Sequence, residues 1–201
     1  MARIWTIPNI LTAARILAAP GLVVVFLLLE RPVAEPLGVT LFVLAALTDF
    51  IDGWVARRFG MASAVGKMLD PIADKAMAIV ALMLLVALHA TPVAGGGLAL
   101  AWELTLPATA IVLREVLVAG LREYLGDVKL AVTPLAKWKT TAQLVAIGVL
   151  LAALPGAGGA VFGASLYHAG IVLLWIAAAL TLASGWDYFR KGLAHIHARE
   201  E

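Results

Sequence analysis

A chain of 201 residues that is 63% hydrophobic and only 14% charged, with a mean hydropathy of +0.98, cannot hide its apolar surface inside a soluble domain. The net charge of +2 is too small to suggest a nucleic-acid partner, and the absence of cysteine excludes disulfides, thiolate metal sites and a cysteine nucleophile. The chain reads as an all-α integral membrane protein. It forms a single domain over 1–201, with no linker, low-complexity segment or repeat.

Spanning helices need about 20 mostly apolar residues. Six such stretches follow one another at 9–29, 36–58, 71–90, 100–125, 134–153 and 163–187. The first lacks a small-residue cleavage site and reads as a retained span rather than a signal peptide. Breaks fall at Arg31-Pro32, at Gly95–Gly97 and at Pro155–Gly159. Asp70-Pro71 reads as the start of span three, because Asp is a good N-cap and Pro is tolerated at the first helical position. Of the fifteen Lys and Arg residues, only Arg31 falls at one membrane face, and the other fourteen fall at the opposite face. By the positive-inside rule both termini and the 57–71 and 122–137 connections are cytoplasmic.

Four aspartates, Asp49, Asp52, Asp70 and Asp74, lie at the cytoplasmic ends of spans two and three. A carboxylate beside hydrocarbon costs roughly 3 kcal/mol on insertion scales, so it needs a partner or a task. Asp49 and Asp52 share a helix face by their spacing of three, and Asp70 and Asp74 by their spacing of four. Gly53, Ala56 and Gly66 are small enough to let the backbones approach or to leave room for a ligand. Oxygen donors with no His or Cys nearby select hard cations, Mg²⁺ or Mn²⁺ and also Ca²⁺, and paired ions can stabilise both attacking and leaving oxygens at phosphorus. The plainer reading is a structural network with Arg57, Arg58, Lys67 and Lys75.

Residues 49–74 fit D-x2-D-G-x2-A-R-x8-G-x3-D-x3-D at every fixed position. This segment resembles the signature of the CDP-alcohol phosphatidyltransferases. The resemblance implies a six-helix, usually dimeric membrane enzyme with a metal-dependent cytoplasmic site, which moves an alcohol phosphate from a CDP-linked donor to an alcohol. Three further segments are similar to bacterial phosphatidylglycerophosphate synthases of that family. They are Ile7-Pro8-Asn9 through Arg15, Arg114 through Tyr124, and Lys137-Trp-Lys139-Thr140-Thr141-Ala-Gln143. Span six and the tail contribute only hydrophobicity and a basic end.

The resemblance implies that CDP-diacylglycerol and glycerol 3-phosphate are the substrates, with membrane lipids and a second copy of the chain as partners. Asp49, Asp52 and Asp70 would hold two Mg²⁺ or Mn²⁺ ions, with Asp74 as a further ligand and as general base. Gly53, Ala56, Arg57 and Gly66, joined by Asn9 and Thr12, would line the CDP pocket. Arg114, Arg122, Lys137, Lys139 and Thr140 would receive glycerol 3-phosphate. The residues themselves allow this. Arg114 and Arg122 lie about 80° apart around a helix, and guanidinium forks grip a phosphate dianion bidentately. Lys137 and Lys139 lie about 200° apart if both are helical, so either the helix starts between them or only one reaches the cavity. Basic residues near a membrane face can instead snorkel to lipid headgroups, which suits Arg58, Lys129, Arg190, Lys191 and Arg199. Two competing readings stand beside this one. In the first, the same chemistry acts on phosphatidylglycerol or an inositol phosphate. In the second, the chain is a cation-coupled transporter, which would place charges near the bilayer midplane in both halves.

Overall fold

The computed structural model describes residues 6–59, 64–93, 97–125, 135–157 and 159–200; the side chains of 7–8, 50, 52–57, 59, 64, 67, 135–137, 159–161 and 195–200 lie outside that description. Six α-helices carry the fold: α1 (Ile7–Leu28), α2 (Arg31–Phe59), α3 (Ala64–Leu88), α4 (Trp102–Leu125), α5 (Leu135–Ala152) and α6 (Gly159–Glu200). Between α3 and α4, β1 (Thr91–Val93) and β2 (Gly97–Ala99) form a small antiparallel hairpin, with Thr91 opposite Ala99. A single 3-10 turn at Pro155–Ala157 links α5 to α6.

Five helices are long and apolar enough to cross a membrane. The 18 residues of α5 rise about 27 Å, close to the thickness of a hydrocarbon core. The chain is therefore a multi-pass membrane protein. Large apolar side chains such as Leu17, Leu27, Met83 and Trp186 stand exposed. Lipid tails solvate such side chains as well as another leucine would, so helix association rests on close packing and on polar contacts between helices.

Each helix buries one stripe whose character changes along its length. In α1 the buried residues Asn9, Thr12 and Arg15 give way to Ala19 and Leu22. In α3 the line of Asp70 and Asp74 continues as Met77, Ala78, Ala81 and Leu85, and in α5 Lys139 and Gln143 lead into Ala146, Ile147 and Leu150. In α4 the stripe Leu104, Ala108, Ile111 runs towards Arg114 and Val118. The polar segments lie in alternate halves of the helices, the first half of α1, α3 and α5 and the second half of α2, α4 and α6. Up-and-down threading brings them all to one end of the bundle. The opposite end is closed by other contacts. Glu35 of α2 accepts the Gly156 N–H at 2.5 Å, and Tyr167 of α6 donates to Glu103 of α4 at 3.2 Å.

The element boundaries correct the sequence reading in three places. Helix α3 begins at Ala64, so Asp70-Pro71 lies inside it rather than at its start, and the link from α2 shrinks from the eleven residues of 59–69 to residues 60–63. An interior proline forfeits one backbone bond, but packed neighbouring helices tolerate this in membrane proteins. Helix α2 starts at Arg31, so Pro32 stands in its first turn instead of breaking the chain. Helix α6 runs 42 residues, about 63 Å, and carries the segment read as a tail as continuous helix well beyond a 30 Å core.

Candidate active site

At the polar end of the bundle a cavity of about 170 Å³ opens between α1, α2, α3, α4 and α5. Its walls carry two oppositely charged clusters on an apolar floor of Ala45, Met77 and Ala78.

The acidic cluster is organised by Arg15. This arginine is buried on α1, and its Nη1 donates to Oδ1 of Asp49 on α2 and to Oδ1 of Asp74 on α3, the latter at 2.5 Å. Both carboxylates remain about two-fifths exposed, at 38% and 43%, so their other oxygens are open to the cavity. One helical turn before Asp74, Asp70 accepts a hydrogen bond from the Thr12 hydroxyl at 2.8 Å. Asn9, Thr12 and Arg15 reach this end together because a spacing of three keeps them on the buried face of α1.

Glu115 on α4 organises the basic cluster. Its Oε1 accepts from Lys139 of α5 and from Nη1 of the adjacent Arg114 at 3.0 Å, and its Oε2 lies 3.9 Å from Lys75. Lys75, Glu115, Lys139, Thr140 and Gln143 all line the cavity. Arg114 stands behind Glu115 and sends Nη2 to the Ser184 hydroxyl at 3.2 Å. Three cations against one carboxylate leave two positive charges, the complement of a phosphate dianion. The acidic cluster has the reverse balance, with Asp49, Asp70 and Asp74 against Arg15.

The predicted residues therefore separate into groups. Asp49, Asp74, Lys139 and Thr140 meet at one cavity, and Asp70 and Thr12 are bonded to each other at the same end of the bundle. Asn9 and Gly66 are buried nearby in α1 and α3. Arg122 is not brought to the cavity. It lies exposed at the end of α4, with its guanidinium carbon 5.8 Å from the centroid of the Tyr188 ring on α6. The positions Asp52, Gly53, Ala56, Arg57 and Lys137 lie outside the described side chains. The sequence reading missed Arg15, Lys75 and Gln143 as site residues and left Glu115 without a role. The signals were present: Arg15 is the one charge in an otherwise apolar first span, and Gln143 follows Lys139 by one helical turn.

The donor set fits a hard divalent cation. Two carboxylate oxygens from different helices converge on one guanidinium nitrogen, so they can also converge on a metal, and all available donors are oxygens. Among the described residues no third carboxylate joins that pair closely enough to complete a ligand group.

The family model for CDP-alcohol phosphatidyltransferases matches residues 5–183. A protein of Cereibacter sphaeroides named CDP-diacylglycerol–glycerol-3-phosphate 3-phosphatidyltransferase is 46% identical, over 96% of this chain and 97% of its own length. A protein of Rickettsia bellii with the same name is 40% identical, over 92% of this chain and 93% of its own. A cardiolipin synthase (CMP-forming) of rice, Oryza sativa subsp. japonica, is 35% identical, over 94% of this chain and 58% of its own length.

Proposed function

The chain belongs to the CDP-alcohol phosphatidyltransferase family, and from that premise we propose that it transfers the phosphatidyl group of CDP-diacylglycerol to sn-glycerol 3-phosphate, releasing CMP. The observation that carries this reading is the joining, in one cavity, of the signature carboxylates Asp49 and Asp74 with the cationic set around Glu115. A diphosphate with its cations suits the first cluster, and a free phosphate dianion suits the second. The likeness to the bacterial relatives, nearly end to end, supports the same acceptor. The family match speaks against a transporter.

The donor would keep its acyl chains in the bilayer and its CDP head in the cavity. Asp49, Asp52, Asp70 and Asp74 would hold the divalent cations, with two Mg²⁺ or Mn²⁺ ions expected. When bound, these ions neutralise charge on the diphosphate. Gly53, Ala56, Arg57 and Gly66 would border the nucleotide. Lys137, Lys139 and Thr140, backed by Arg114, would orient the acceptor phosphate, and Arg122 would add positive potential outside the cavity. Asp74 would take the proton from the primary hydroxyl of glycerol 3-phosphate. The freed oxygen forms a bond to the β-phosphorus as the bond to the CMP oxygen breaks, in one in-line displacement. No cysteine exists to serve as a covalent nucleophile, and among the described residues no histidine lines the cavity.

The fourteen-to-one distribution of basic residues supports a bacterial inner-membrane protein with both termini and the active site facing the cytoplasm. A single membrane domain over 1–201, working as a homodimer, completes the proposal. The test is CMP release by the purified protein from CDP-diacylglycerol, with glycerol 3-phosphate, phosphatidylglycerol, inositol phosphate or serine supplied separately. Glycerol 3-phosphate is expected to support turnover at least tenfold better than the others. Preferred use of phosphatidylglycerol would transfer the reading to the cardiolipin synthase branch, to which the rice relative belongs by name.

A further inference from the structure

Helix α6 contributes no described residue to the cavity lining, yet it meets the charged cluster through Arg114. Arg114 is buried on α4 with its guanidinium turned towards α6, where Ser184 accepts from Nη2 at 3.2 Å. The same hydroxyl donates to the Thr181 carbonyl at 3.0 Å, so its lone pairs are aimed by its own helix and its orientation is fixed. The next residue, Gly185, supplies the space. A Cβ there would stand 2.8 Å from Cγ and 2.9 Å from Nε of Arg114. Only glycine lets the arginine stem lie against the α6 backbone. A buried guanidinium is costly unless its hydrogen bonds are met. Here Nη1 is met by Glu115 and Nη2 by Ser184, while Nε has no protein partner among the described residues.

We propose that Ser184 and Gly185 are positioning residues for acceptor binding. Together they set Arg114, Arg114 sets Glu115, and Glu115 sets the Lys139 ammonium that faces the cavity. The inference rests on the reading that this side of the cavity receives the phosphate of glycerol 3-phosphate. It gives span six a role that its composition did not reveal.

The test measures steady-state CMP release by the full chain, with each substrate varied in turn. Ser184→Ala deletes the acceptor without adding bulk and should raise the KM for glycerol 3-phosphate about threefold to tenfold, a range expected for one charge-assisted hydrogen bond acting at a remove. The KM for CDP-diacylglycerol and kcat should stay within about twofold. Gly185→Ala should raise the same KM further, and if that variant does not fold, Ser184→Ala carries the test alone. In an Arg114→Ala background Ser184→Ala should have no further effect, because the group it positions is gone. A rise in both KM values alike, or an effect that persists without Arg114, overturns the inference. So does an unchanged KM in Ser184→Ala. If Arg114→Ala and Lys139→Ala both leave the KM for glycerol 3-phosphate unchanged, the acceptor reading itself falls and takes the inference with it. If those two raise it while Ser184→Ala is silent, only the role of α6 is lost.

Discussion

Arg15 of α1 donates to Asp74 of α3 at 2.5 Å, and through the same nitrogen it holds Asp49 of α2. One guanidinium thus closes three helices around the carboxylates that the family signature contributes. This contact has a cost for any divalent cation that enters, because the metal must share these two carboxylates with the arginine and sit beside its positive charge.

The first prediction follows from that competition. In Arg15→Gln the two carboxylates lose their shared cation, and each is still more than half covered. The metal-free protein should lose about 1–2 kcal/mol of stability, less than for a fully buried pair because solvent reaches both acids. Added Mn²⁺ should then raise Tm by more in the variant than in the parent, since binding to the folded state alone stabilises it. Thermal unfolding in detergent, with and without Mn²⁺, reads both quantities. An equal Mn²⁺-induced gain in the two proteins would show that Arg15 and the metal do not share ligands.

Asp74 and Asp49 contact the same arginine but carry different proposed tasks. Asp74→Asn should leave CDP-diacylglycerol binding within about threefold while CMP release falls by about a thousandfold, the scale of a lost general base. Asp49→Asn should weaken donor binding and the response to Mg²⁺ together. Equilibrium binding of the donor, measured beside turnover, separates the two. Near-normal turnover in Asp74→Asn would remove that residue from the base role.

The parts legible in the sequence were those governed by local rules. Hydrophobic length marked six helices, and the signature pattern marked Asp49 and Asp74, which the fold brings to one cavity. Two kinds of feature were not legible. Helix boundaries moved where a local start or break signal was overridden by packing, as at Pro71, which α3 absorbs among its neighbours, and at Pro32, which α2 places in its first turn. Partner choice was hidden as well, because it depends on which helices touch. Glu115 joins Lys75 and Lys139 only through the meeting of α3, α4 and α5, and Arg114 finds Ser184 seventy residues away. Charge alone made Arg114 and Arg122 look equivalent, whereas one is buried beside the cavity and the other exposed against Tyr188.

That distinction makes a third prediction. Lys139→Ala removes a cavity-lining cation and should raise the KM for glycerol 3-phosphate more than tenfold, in line with the loss of a charged contact of about 1.5–3 kcal/mol. Arg122→Ala removes only long-range potential and should change the same KM less than about threefold, an effect that fades as ionic strength rises. Parallel KM measurements at low and high salt decide the matter. Equal effects from the two substitutions would bring Arg122 into direct contact with the acceptor.

The last prediction concerns the end of the bundle away from the chemistry. Glu35 is buried, accepts the Gly156 N–H at 2.5 Å and pairs with Arg31 at 3.2 Å, so one carboxylate ties the α5–α6 connection to the start of α2. A Cβ on residue 156 would lie 2.9 Å from Glu35 Oε2 and 3.1 Å from the Pro32 Cα, and the backbone atom cannot yield as a side chain would. Gly156→Ala should therefore strain this junction and cost about 1–3 kcal/mol of stability. Glu35→Gln keeps the size and an acceptor but gives up the charge, and should cost less, about 1 kcal/mol. In both variants kcat/KM for glycerol 3-phosphate should match the parent at temperatures below unfolding, because the cavity is built from the opposite helix ends. A lowered kcat/KM in folded Glu35→Gln would mean that the two ends of the bundle are coupled, and that the closure of α2 on the α5–α6 turn helps to set the geometry around Asp49.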